Sequence, residues 1–151
     1  MSIRLAHPDE AEACWRIRNQ AIRSGCATHY SPAIITAWTP EAMPASFPAV
    51  LTAHPFFVAD AGAGYPVATG FLDADAGRVE ALFTLPAWAG RGYGSAILAA
   101  IQRGMPRLTL SATPNAVSFY RHHGFILLRE SVHHSALAGA DLRCFHMQRD
   151  L

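Results

Sequence analysis

Three groups of residues carry recognisable chemistry. Gly90-Arg91-Gly92-Tyr93-Gly94 follows an apolar run that ends in Pro86, and it opens the helical pattern of Ile97, Leu98 and Ile101. Such a junction aims main-chain N–H groups and the positive end of a helix dipole at one point, which suits an anion. Glycines at 90, 92 and 94 let the backbone approach a ligand without any cationic side chain, although a plain glycine-rich turn is the other reading of so short a motif. Thr113 and Tyr120 stand seven residues apart, with small Ala116 between them. On a helix that is about two turns, so one face can line a cavity with a hydroxyl and a phenol. Glu80 lies upstream in a strand pattern beside Arg78, where it reads either as a reacting carboxylate or as a solvent-facing strand residue.

Composition narrows the chemistry. All 12 basic residues are Arg, so a lysine Schiff base and a phosphate-gripping P-loop lysine are excluded. The glycine spacing lacks the G-x-G-x-x-G and the acid about 20 residues on that a dinucleotide fold wants. The adjacent pairs His122-His123 and His133-His134 point in different directions on a helix or strand, and no metal site is expected. Cys14, Cys26 and Cys144 form neither a C-x-x-C pair nor an even disulfide set, and no secretory signal precedes them, so a cytoplasmic location is expected. A net charge of +1 with 15% charged residues provides no field for nucleic acid or an anionic membrane. Residues 42–59, the longest uncharged stretch, are broken by Pro44, Pro48 and Pro55, so no membrane span is expected. The sparse surface charge is compatible with a homodimer.

The elements that must position these groups follow an α+β order within one domain, residues 1–151. Residues 3–5 read as a strand, and Pro8 with Asp9 and Glu10 starts an amphipathic helix running to about Ser24. Ser31-Pro32 caps a second helix, and residues 40–55 hold at most another short one. Strands are expected at 56–59 and 67–72 around the turn of residues 61–66, and at 78–85. After the glycine loop and its helix come a strand at 108–110 and a helix from Thr113-Pro114 to Gly124. Strands at 125–131 and 142–148 finish the chain.

Leu82-Phe83-Thr84-Leu85-Pro86, then Gly90-Arg91-Gly92-Tyr93-Gly94-Ser95-Ala96 and Phe119-Tyr120-Arg121-His122-His123-Gly124-Phe125 together resemble the acetyl-CoA motifs of the GNAT superfamily of N-acetyltransferases. His29-Tyr30-Ser31-Pro32 with Ala37-Trp38 resembles a small, single-domain bacterial branch of that superfamily. The resemblance implies the acyl-CoA N-acyltransferase fold, a mixed, mostly antiparallel sheet of about seven strands flanked by about four helices. It implies acetyl-CoA as co-substrate, its pyrophosphate on the amides of Gly90, Arg91, Gly92, Tyr93, Gly94 and Ser95, and its pantetheine paired along Leu82, Phe83 and Thr84. By the same pattern Tyr120 protonates the departing thiolate and Glu80 takes the proton of the incoming ammonium. A strand bulge would free an amide near Phe83 for the thioester oxygen. Two positions depart from the pattern: Ala89 stands where relatives usually have Gln or Arg, leaving Arg91 to compensate, and Thr113 stands where many have Asn. Thr113 can still cap its helix and donate one hydrogen bond to pantetheine.

The first two helices and their connection should select the acceptor, through His29, Tyr30, Ser31 and Trp38. Trp38 shares its helical pattern with Ile34 and Ile35 and reads first as core. These residues are aromatic rather than acidic, which favours a small or aromatic primary amine over a polyamine. Two other readings stay open: a CoA-binding or sensor module without turnover, and an acetyltransferase acting on protein or tRNA, which the near-neutral charge disfavours.

Overall fold

The computed structural model describes residues 2–62 and 64–151. Its strands are β1 (Ser2–Leu5), β2 (Phe56–Asp60), β3 (Pro66–Asp73), β4 (Arg78–Thr84), β5 (Arg107–Ala112), β6 (Ile126–Ser135) and β7 (Ala140–Asp150). They form one seven-stranded sheet in the order β1-β2-β3-β4-β5-β7-β6. Among the described residues only β4 and β5 pair in parallel. The helices are α1 (Ala11–Gly25), α2 (Pro32–Trp38), α3 (Phe47–Ala53), α4 (Tyr93–Gln102) and α5 (Val117–His122). The α+β reading therefore holds, with α3 as the short helix allowed between Pro40 and Pro55. Ala63, in the expected turn of residues 61–66, lies outside the described residues.

Strand alternation distributes the helices over two faces. Val58 packs with Ala11 and Cys14 of α1 and Leu51 of α3. Its neighbour Ala59 packs with Ile97, Leu98 and Ile101 of α4. Successive residues of a strand point to opposite faces, so α1 and α3 cover one side of the sheet and α4 the other. Gly70 in β3 is set by close approach: a Cβ there would come within 2.9 Å of Leu82 Cδ1 and 3.0 Å of Ile97 Cγ2.

The segment after β5 differs from the sequence reading. A 3-10 turn, Pro114–Ala116, precedes α5, so Thr113 and Tyr120 are not separated by two regular α turns. The carbonyl of Thr113 accepts from Ala116 N–H at 3.0 Å, the tighter i to i+3 pattern, and the Thr113 hydroxyl does not cap the turn. The β6–β7 hairpin also runs further than expected, because the Ser135 hydroxyl accepts from Ala138 N–H at 3.0 Å and closes a short turn.

Candidate active site

After β4 the chain makes a single 3-10 turn, Pro86–Trp88, and then passes Gly90 and Gly92 at φ 76° and 85°. Both lie in the left-handed region where a Cβ is costly. Gly92 is the N-cap of α4 and no side chain caps the helix. The first bond of α4 is Ala96 N–H to the Gly92 carbonyl, at 3.0 Å, and no main-chain N–H of residues 90–95 donates to a protein acceptor among the described residues. The fold thus leaves a cluster of oriented donors for an anion. Arg91 lies 4.9 Å over the Trp88 ring, which meets Tyr93 edge-on, so this cation is held at the rim of the loop. Ser95 Oγ sits 2.9 Å from His123 Nε2, tying the start of α4 to the end of α5. Burial pushes the His123 imidazole down, so it is mostly neutral at pH 7.

Beside this loop the sheet parts. β4 and β5 pair only at Arg78 with Thr109, and beyond that rung they diverge. On its other edge β4 pairs with β3, but the register shifts between Thr69 opposite Phe83 and Phe71 opposite Glu80. Ala81 sits inside the shift at φ 53°. Two residues of β4 therefore oppose Gly70, a bulge with its first residue in the left-handed region. Leu85 N–H bonds to the Val67 carbonyl of β3. By two-residue alternation Phe83 also faces β3, and the main-chain groups of Leu82 and Thr84 face the gap.

Two cavities open along the gap. One, about 240 Å³, is walled by Leu82 and Thr84 on one side and by Cys26, Asn115 and Ala116 on the other. The second, about 310 Å³, has Glu80, Ala81, Tyr30 and Trp38 in its wall. Phe83 and Thr113 line both.

Burial, only partly offset by Arg78 at 3.6 Å, pushes the Glu80 carboxyl above the ordinary range. Tyr120 is 7% exposed and packs between Phe119 and Phe125, with ring centroids at 5.2 and 5.6 Å. Burial first, and then the charge of Glu80, push its phenol well above the usual tyrosine range. Among the described residues no protein group hydrogen-bonds the phenol. Because no side-chain polar atom among the described residues is both sealed and unpaired, its oxygen keeps an opening to solvent.

The acetyltransferase (GNAT) domain family matches residues 52–127, half of the chain. This stretch runs from the end of α3 into β6 and contains the bulge, the glycine loop and Tyr120. The chain belongs to the GNAT acetyltransferase family.

Solved structures give the same fold. A GCN5-related N-acetyltransferase from Rhodopseudomonas palustris superposes with a TM-score of 0.89 at 24% identity, covering 99% of this chain and 95% of its own. PaiA N-acetyltransferase of Thermoplasma acidophilum, solved with coenzyme A, gives 0.77 at 18%, covering 99% and 98%. YncA of Salmonella typhimurium, solved with acetyl-CoA, gives 0.69 at 22%, covering 100% and 94%. No curated protein matches the sequence.

On the second cavity of this GNAT domain, two of the four residues expected to select an acceptor come together. Tyr30 and Trp38 meet edge-to-face at 5.6 Å, and the Tyr30 hydroxyl donates to the Arg143 carbonyl at 2.6 Å. Trp38 is half-buried against the cavity rather than sealed in the core. Ser31 instead caps α2, its hydroxyl accepting from Ile34 N–H at 3.3 Å, and His29 is exposed in the preceding turn. Neither is in the cavity wall.

Sequence reasoning missed Arg18, His133 and Arg143 on this cavity, and Ile22, Gly25 and Cys26 on the other. A signal existed for three of them: Arg18, Ile22 and Gly25 recur at i, i+4 and i+7, one face of α1. Gly25 is small because a Cβ there would meet Asn115 Nδ2 at 2.7 Å.

Proposed function

We propose that this GNAT domain is an acetyl-CoA-dependent N-acetyltransferase that passes the acetyl group directly to a small primary amine. The observation that carries this reading is the wall shared by Phe83 and Thr113: a thioester entering from one cavity and an amine entering from the other meet there. The free amides of residues 90–95 fit a diphosphate. The main-chain groups of Leu82 and Thr84 fit an extended arm bearing amides, which would lie along β4 like an added strand. The coenzyme A and acetyl-CoA bound in the PaiA and YncA structures support the same ligand here.

Each side chain then has one task. Glu80 takes the ammonium proton, since only the free amine has a lone pair to attack the carbonyl carbon. The N–H of Leu82, the second residue of the bulge, faces the gap and stabilises charge developing on the thioester oxygen. As the C–S bond breaks, Tyr120 donates its proton to the thiolate, and the second proton shed by the newly acylated nitrogen restores the phenol. The same burial that raises the phenol raises a thiolate beside it, so the mismatch with a thiol of pKa about 8.5 is narrowed. Once Glu80 is protonated its charge no longer opposes ionisation of Tyr120, so the two transfers assist each other. Cys14, Cys26 and Cys144 are free thiols, which supports a reducing compartment such as the cytoplasm.

Calorimetry with coenzyme A, followed by amine-dependent thiol release from acetyl-CoA across a panel of amines, tests the reading. Binding without release under any amine would leave only a CoA-binding module. The cradle has its own test. Gly92→Ala places a Cβ in the left-handed region, at a cost of about 1–2 kcal/mol, or must shift the loop to avoid it. Its coenzyme A dissociation constant should rise about tenfold, measured by the same titration.

A further inference from the structure

Three guanidinium groups line the larger cavity, and two are neutralised by the protein. Arg78 pairs with Glu80, and Arg143 bonds the Glu130 carboxylate. Arg18 has no carboxylate partner among the described residues. Its Nη1 donates to Asn19 Oδ1 at 2.8 Å and to the Trp38 carbonyl at 2.9 Å, which uses both hydrogens of that nitrogen. The group lies 4.3 Å over the Trp15 ring, and Asn19 is held in turn by donating to the Pro40 carbonyl at 2.8 Å. The guanidinium plane is thus fixed on three sides. Its Nε and Nη2 edge has no protein acceptor among the described residues, and it is not sealed from solvent. That edge is the fork that holds an oxyanion through two parallel hydrogen bonds.

We propose that Arg18 binds an oxyanion on the acceptor, so that the substrate is an amine that also carries a carboxylate or phosphonate, of amino-acid size. A half-buried cation without a counter-ion costs the fold desolvation that an anionic ligand would recover. Burial pulls Arg18 down to about 10, so it stays charged at neutral pH. The cavity of about 310 Å³ has room for an acceptor of amino-acid size. This inference rests on the acetyl-transfer reading, with Glu80 in the same wall to meet the amine.

The test compares phenylalanine, leucine and alanine with their amides, and adds the matching aminoalkylphosphonates to separate the two kinds of oxyanion. Wild type should prefer the anionic member of a pair by about 10- to 100-fold in kcat/KM, mainly through KM. Arg18→Met should reduce that ratio to within about threefold, and Arg18→Lys, a point charge without the fork, should fall between. A purely structural Arg18 would lower both members equally and leave the ratio intact, which overturns the proposal, as would equal use of acid and amide by wild type. Calorimetry of the amino acids into CoA-saturated protein reads Arg18 without turnover: heat with wild type that Arg18→Lys weakens supports the site, and silence with every anionic amine overturns it. Failure to bind coenzyme A at all would instead overturn the acetyl-transfer reading.

Discussion

Tyr120→Phe should lower kcat about 10²–10⁴-fold, the range for a lost general acid, while the affinity for coenzyme A holds. The expectation rests on what the phenol does not do. It is packed among Phe119 and Phe125, yet among the described residues no protein group hydrogen-bonds it. The hydroxyl reaches solvent rather than a protein partner, so the fold draws no hydrogen bond from it and should accept Phe at this position. Loss of the hydroxyl should therefore leave the melting temperature unchanged or slightly raised, and a parallel loss of stability and turnover would contradict the assigned role. The raised phenol pKa adds a second readout: it keeps the acid protonated, so kcat should show no descending limb from Tyr120 below about pH 10. Stopped-flow measurement of thiol release separates the chemical step from product release.

The parts of this site that were legible in the sequence are those written in residue types with few alternatives. Alternate glycines before an apolar helix leave little but a tight loop, and the loop forms with Gly90 and Gly92 at positive φ. Tyr120 could be placed because Gly124 ends its helix and Phe119 and Phe125 flank it. The bulge was expected only through resemblance, since Ala81 does not advertise a left-handed conformation as Gly or Asn would. The tertiary structure imposes it, with Gly70 opposite leaving room for Leu82. The 3-10 turn before α5 was also hidden, because Thr113-Pro114 starts an α-helix and a 3-10 turn equally well. Arg18 was missed for a different reason: it shares a helix face with Ile22 and Gly25, but an arginine on an amphipathic helix reads as solvent-facing until α2 is seen to close over it, with Trp38 offering its carbonyl.

Glu80→Gln isolates the other end of the reaction. Burial raises the Glu80 carboxyl, and Arg78 offsets this only in part. A raised base is the better acceptor for an ammonium of pKa about 10, because each unit closer removes about 1.4 kcal/mol from an uphill transfer. The acidic limb of kcat/KM should therefore lie above the ordinary carboxylate range in wild type. It should vanish in Glu80→Gln, with turnover down about 10²–10⁴-fold, while the limb set by the amine itself persists. Stability moves the other way. The native state binds the Glu80 proton more tightly than the unfolded chain, so its contribution is full below the unfolded pKa of about 4.3 and is lost as pH rises through the native value. Glu80→Gln cannot ionise and escapes that loss. The variant and wild type should unfold most alike in acid, and the variant should become the more stable of the two toward neutral pH, as read by denaturant melts across the range. A variant that is less stable at pH 7 than at pH 4 relative to wild type would mean that the Arg78 pair outweighs burial, and that Glu80 is held as a structural ion pair rather than as a base.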